Sequence, residues 1–138
     1  MSLPENLRKR AEHFFTEVER VRQGAAAWQE ADLEWFGRLM NESCASSIMN
    51  YESGSEVLIE LHELVSHTRG IYGSRFSGGG YGGCVVGLAQ GDLAEAACSE
   101  IGDVFSALHP NLPSSVFVAE MGDGIALGPS ASESERSS

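Results

Sequence analysis

Residues 78–83 read Gly78-Gly79-Gly80-Tyr81-Gly82-Gly83, five glycines in six positions. So many glycines together are costly in conformational entropy and add no side chains to a core. What they allow is a close approach of backbone N–H groups to an anion, with no Cβ in the way. Ser77 adds a hydroxyl donor at the edge of this stretch, and Arg75 a cation. The residues alone fit two readings equally: a loop that touches an anionic ligand, and a mobile connection between two strands.

Other apparent motifs carry less. Gly78, Gly80 and Gly83 satisfy G-x-G-x-x-G. The dinucleotide form of that motif needs a helix at once, so that its N-terminus meets the pyrophosphate. Here the β-rich run Cys84-Val85-Val86 follows instead. No G-x-x-x-x-G-K-[ST] loop is present. His62 and His67 bracket a Glu in a near-match to a zinc protease helix, but they are five residues apart. Zinc-binding histidines on one helix face are four apart; five residues turn them about 140° from each other. Both are expected as solvated helix histidines, and no metal site is expected. Cys84 opens an apolar strand and reads as core, and no serine stands in a G-x-S-x-G context. No catalytic residue is assigned to the chain.

The elements that would position the glycine loop can be read from period and punctuation. Pro4 suits a first helical turn, with Ser2 as its cap. Leu7, Ala11, Phe14, Phe15, Val18, Val21, Ala25 and Trp28 then recur at helical steps and give one apolar stripe. Gly24 is a point of weakness or breakage in that helix. Arg8, Lys9, Arg10, Arg20 and Arg22 alternate with Glu12, Glu17 and Glu19, which reads as a solvated face. A second helix is predicted over 31–50, with Leu33, Phe36, Leu39, Met40 and Ile48 inward. Ser55 caps a third, carrying Val57, Leu58, Leu61, Leu64 and Val65, and Gly70 stops it. Residues 71–77 alternate like a strand and 84–89 form a second. Asp92 caps a fourth helix that ends at His109-Pro110. Residues 115–120 read as a third strand and 125–127 as a short fourth, after a turn at 121–124. The Ser- and Glu-rich residues from Pro129 onward read as a disordered tail. The organisation expected is one domain over 1–128 and a tail over 129–138.

Composition narrows the partners. The net charge of −11 excludes nucleic-acid binding through a neutralising basic surface and disfavours an anionic membrane. No apolar run approaches membrane-spanning length. Three widely spaced cysteines, Cys44, Cys84 and Cys98, with no apolar leader near Met1, point to free thiols packed as small apolar groups in a reducing, cytoplasmic compartment.

Several segments resemble one family. Arg10-Ala11-Glu12-His13 with Glu17 and Arg20 is similar to the start of the C-terminal domain of galactokinases. Asp32, Phe36-Gly37, Leu39-Met40 and Asn41-Glu42-Ser43 are similar to that family's second helix. The run from Gly70-Ile71-Tyr72-Gly73-Ser74-Arg75-Phe76 through Ser77 and the glycine loop to Cys84 closely resembles the third motif of the GHMP kinase superfamily in its galactokinase form. Asp123-Gly124 sits where the family often has a similar pair, and the match runs from about Leu3 to Gly128. The resemblance implies an α+β, ferredoxin-like domain, with an antiparallel sheet and helices packed on one face. It implies ATP-dependent phosphorylation of a sugar's anomeric hydroxyl, with ATP and Mg2+ as cofactors of the complete kinase and none bound tightly by this chain alone. Substrate and phosphate contacts carry over to Ser77, Gly78, Gly79, Gly80, Gly82 and Gly83. Galactokinases usually have His where Cys44 stands and an acidic pair where Met49-Asn50 stands. Residues 46–52 and 54–56 look more like the galacturonokinase and arabinokinase branch. The family's first motif, its P-x-x-x-G-L-S-S-[SA] phosphate loop and its catalytic Asp segment are not found. The expectation is the C-terminal half of a sugar-1-kinase, as a fragment or one chain of a split enzyme, with negligible activity alone. It would work with a missing N-terminal domain or companion chain, or pair as a homodimer. The alternatives are a stand-alone binding or regulatory module for a phosphorylated ligand and a purely structural dimerisation domain.

Overall fold

Helix α1 (Glu5–Gln29) begins after Pro4, whose carbonyl accepts the Arg8 N–H at 2.9 Å. A computed structural model describes residues 3–120 and 122. Ser2, the 121–124 turn, the 125–127 strand and the tail therefore lie wholly or partly outside the described residues. Gly24 does not break α1. It is buried, and its missing side chain lets the Phe36 ring approach, 3.5 Å from where a Cβ would be. The helix ends in a Schellman-type turn: Asp32 N–H reaches the Ala27 carbonyl and Ala31 N–H the Trp28 carbonyl. Ala31 takes the left-handed position usually given to glycine, at φ 56°. Asp32 then caps α2 (Leu33–Met49), accepting the Trp35 N–H at 2.9 Å. This short link folds the two helices against each other.

The face of α1 turned to α2 is not the apolar stripe. Phe14, Phe15, Val21 and Trp28 are exposed, and Leu7 and Val18 with them. The inward side carries Arg10, His13, Glu17 and Arg20, then Gly24 and Ala27. Serines of α2 answer them. Glu17 accepts the Ser43 hydroxyl at 2.7 Å, and His13 Nδ1 lies 3.0 Å from Ser46 Oγ. Arg20 pairs with Glu17 at only 14 % and 21 % side-chain exposure. Part of the charged face expected to be solvated is thus the helix–helix seam, because α2 supplies hydroxyl partners there.

Ser55 caps α3 (Glu56–His67), accepting the Leu58 N–H. Strands β1 (Ile71–Ser77) and β2 (Cys84–Ala89) form an antiparallel hairpin, with Ser74 opposite Gly87 and Ser77 opposite Cys84. Helix α4 (Ala94–Leu108) follows a short turn in which Leu93 takes the N-cap position without a side-chain bond; Asp92 does not cap it. It buries Ala94, Ala97, Ile101 and Phe105.

Helix α2 runs along β1 and replaces a neighbouring strand. Residues 37, 41 and 44 step along one helix face at four and three. Gly37 meets Tyr72 and Gly73 backbone to backbone, where a Cβ on Gly73 would lie 1.9 Å from the Gly37 carbonyl oxygen. Asn41 Oδ1 takes the outward Ser74 N–H at 2.8 Å. Cys44 enters the core with Leu58 and Phe76. Helix α3 packs on both strands and α4 on α3. The α+β arrangement agrees with expectation, but the sheet holds two strands among the described residues. Residues 115–120 are not a strand: they run exposed and make no ladder. Their β-branched and aromatic content is right for a strand, but a strand also needs an adjacent edge.

Two further expectations fail on burial. His62 is buried, its Nδ1 2.8 Å from Ser74 Oγ, while His67 is exposed as expected. Cys84 is exposed, whereas Cys44 is buried and Cys98 half-buried. Cys84 pairs with Ser77 at the loop end of the hairpin, where the exposed glycine loop begins. No described helix is long and apolar enough to cross a membrane.

Candidate functional site

The glycine loop joins β1 to β2 and is anchored at its middle. Gly80 is buried at φ 80°, and a Cβ there would lie 2.7 Å from the Phe76 ring and 3.0 Å from Gly54 Cα. Its carbonyl accepts the Ser55 N–H at 2.6 Å, at the start of α3. One residue on, the Tyr81 hydroxyl donates to the Glu52 carbonyl at 3.3 Å. Glu52 in turn holds Lys9 at 3.0 Å and Arg10 at 2.8 Å, from the first turns of α1. Hydrogen bonds from Arg10 and Lys9 hold the Glu52 carboxyl below the usual carboxylate range.

The rest of the loop stands clear. Ser77, Gly78, Gly79, Gly82 and Gly83 are exposed. Nothing lies within 4 Å of a Cβ at Gly78 or Gly82, and at Gly79 only the Tyr81 ring does, at 3.8 Å. Gly78 and Gly83 take φ 96° and 98°, a region that L side chains rarely adopt. The loop is therefore one buried pin with open backbone on either side. Arg75 is not aimed at it: its Nε donates to the Phe76 carbonyl on its own strand.

Sequence reading placed the loop where the structure has it, between β1 and β2, but missed the contacts that frame it, made by Gly54, Ser55, Glu52 and Tyr81. The available signal was Gly54 directly before a capping Ser55, which marks a tight chain bend able to receive another backbone. Tyr51, half-exposed beside this frame, stacks against His13 with centroids 5.1 Å apart and carries Arg10 over its ring. Elsewhere on the seam, burial works to raise the Glu17 carboxyl, but hydrogen bonds from Ser43 and Arg20 outweigh it and hold it low. Among the described residues no three His, Cys, Asp or Glu side chains gather as a metal site.

Residues 25–107 match the family GHMP kinases C terminal. The galacturonokinase of Arabidopsis thaliana is 42 % identical over 123 residues, covering 85 % of this chain and 29 % of its own length. The galactokinase of Roseiflexus sp. is 36 % identical, covering 89 % of this chain and 31 % of its own. The crystal structure of Lactococcus lactis galactokinase complexed with galactose superposes with a TM-score of 0.78 at 34 % identity, over 88 % of this chain and 31 % of that one. The chain thus spans under a third of the length of these relatives. With the pinned glycine loop, the α1–α2 pair and the hairpin all in place, this chain belongs to the GHMP kinases and has the fold of their C-terminal domain in its galactokinase-like form.

Proposed function

We propose that this chain forms one wall of the ATP–sugar cleft of a galactokinase-like sugar-1-kinase and works with a companion segment that carries the rest of the site. The carrying observation is the loop itself: Gly80 pins it, and the backbone at Gly78 and Gly82 is left open to an approaching anion. Phosphoryl transfer depends on positioning and on stabilising charge on the phosphoryl oxygens. Fixed N–H groups at Gly78, Gly79, Gly82 and Gly83, with the Ser77 hydroxyl, suit that role. Gly80 serves as their foundation and Tyr81 as a second tie to the α2–α3 link. Bound Mg2+ would supply charge neutralisation between phosphates. Among the described residues no three His, Cys, Asp or Glu side chains gather to hold it.

The sugar is of the galactose, galacturonate or arabinose class. Galacturonate has support from the Arabidopsis thaliana relative and from Cys44 and Met49-Asn50, which depart from the galactokinase pattern. The test is a coupled ADP-release assay with each of the three sugars. The chain is assayed alone and co-expressed with the part of the Arabidopsis thaliana galacturonokinase that it does not align with. Turnover is expected only in the co-expressed sample. Clear turnover by the chain alone, or a stable complex with none, overturns the proposal.

A further inference from the structure

Glu52 holds a left-handed backbone, φ 58°, with a full side chain. Its position is the turn that ends α2. There the Ser53 N–H returns to the Ser47 carbonyl at 3.0 Å, a closure whose left-handed place is usually given to glycine. Glycine would serve that turn at no steric cost. What glycine lacks is a carboxylate, and this one is taken by two cations of α1, Lys9 and Arg10.

Arg10 does more than pair with it. One terminal nitrogen donates to the Asn50 carbonyl and the other to Glu52 Oε2 at 2.8 Å, while the guanidinium lies over the Tyr51 ring, 5.5 Å from its centroid. A single side chain thus grips three consecutive residues. A planar fork can do so; an ammonium is a point charge. The same link then meets the glycine loop. Glu52 accepts the Tyr81 hydroxyl on its carbonyl, and the Ser55 N–H donates to the Gly80 carbonyl. Between them Gly54 backs onto Gly80, its Cα 3.0 Å from where a Cβ there would be. The Arg10 and Glu52 side chains are 38 % and 49 % exposed, so as an ion pair alone they would stabilise the fold little. Their effect lies in where they hold the chain.

We propose that Arg10 is a positioning residue for the glycine loop. It holds Glu52 in its left-handed turn, and through residues 52–55 it sets the height of Gly80 and the aim of the N–H groups on either side. It acts through the link, not by contact with substrate. That these N–H groups meet phosphates rests on the proposed function; that Arg10 sets them does not.

Amide hydrogen exchange in the free chain tests the hold. In Arg10→Lys the Ser55 amide should exchange about tenfold faster. The Gln90 amide, bonded to the Gly70 carbonyl at the other end of the hairpin, should keep its rate. Adding Glu52→Gly removes the need for the clamp, since glycine takes the turn unaided, and should bring Ser55 back to within about threefold of the unaltered chain. No change at Ser55, equal acceleration at both amides, or no recovery with Glu52→Gly each overturns the proposal. If Arg10→Lys does not fold, two single variants decide. Glu52→Ala keeps the strain and loses the clamp, and should speed Ser55 about tenfold, with Glu52→Gly well short of that; equal rates overturn the proposal. In the chain co-expressed with the non-aligning part of the Arabidopsis thaliana galacturonokinase, Arg10→Lys should lower kcat about tenfold with the sugar KM within about twofold. An unchanged kcat overturns the positioning role. If the unaltered chain gives no turnover there, the proposed function fails, and exchange in the free chain still decides for Arg10.

Discussion

Two glycines of one loop are there for different reasons, and alanine separates them. At Gly80 a methyl group meets the Phe76 ring at 2.7 Å with φ at 80°, and the neighbour below is backbone. Gly80→Ala should cost about 1–3 kcal/mol in urea unfolding. At Gly82 nothing lies within 4 Å, so Gly82→Ala should stay within about 0.5 kcal/mol. If the open backbone receives phosphates, Gly82→Ala in the co-expressed kinase should lower turnover about tenfold or more; unchanged turnover would remove Gly82 from the site. His62 makes a separate prediction. Burial holds its imidazole below the ordinary value of 6.5, against a smaller upward pull from Glu63. The unfolded chain takes up that proton near 6.5 and the folded chain only at lower pH. Its stabilising contribution is therefore complete above about 6.5 and falls as the pH drops from there. Glu17, also held low, acts in the window below 4.5. The urea midpoint should decline between pH 7 and 5.5, and His62→Gln, which can still bond Ser74, should flatten that decline. An equal decline in both proteins would show that His62 does not carry it.

At the scale of elements, what was legible in the sequence was local. Four helices, their order and the hairpin follow from period, from the cap at Ser55 and from Gly70. The position of the glycine loop was equally legible, since composition alone marks it. What escaped were relations between elements. The α1 stripe was read as apolar, which it is, but the seam with α2 is polar because Ser43 and Ser46 face Glu17 and His13. That pattern is visible only when two helices are read against each other. Residues 115–120 have strand chemistry without a neighbouring edge, and edges are non-local. The contact of α2 with β1 is another such relation. A methyl at Gly37 would lie 2.3 Å from Tyr72 backbone atoms, with no flexible side chain to yield. Gly37→Ala should cost about 3 kcal/mol, the upper end of overpacking. Ala31 gives the opposite sign: it holds φ 56° with a Cβ. Ala31→Gly relieves that strain and should raise stability by about 0.5–1 kcal/mol in the same measurement. A loss there would mean the turn is held by more than its backbone geometry.

The whole molecule carries more exposed apolar surface than its own fold uses. Along α1, Leu7, Ala11, Phe14, Val18, Val21, Ala25 and Trp28 follow steps of four and three, a 3.5-residue period. Phe14 is 62 % and Val21 70 % exposed, though both stand in the middle of a 25-residue helix. Under the proposed function, the companion segment would cover such a stripe. For the chain alone, the remaining way to cover it is another copy. Ala11 and Ala25 on one row of the stripe are smaller than Leu7, Phe14 and Trp28 on the other, while Val18 and Val21 are alike. Antiparallel pairing sets small against large, while parallel pairing stacks like against like. An antiparallel α1 dimer is therefore expected for the chain alone. The net charge of −11 opposes it at low salt, so dimerisation should strengthen as ionic strength rises. Sedimentation velocity over a concentration series at two salt levels measures this. Phe14→Glu with Val21→Glu should give a monomer at every concentration with little change in the unfolding midpoint, because neither side chain is in the core. Co-expression with the companion segment should abolish the dimer if both partners use the α1 stripe. A dimer that survives both treatments would place the self-association on another surface.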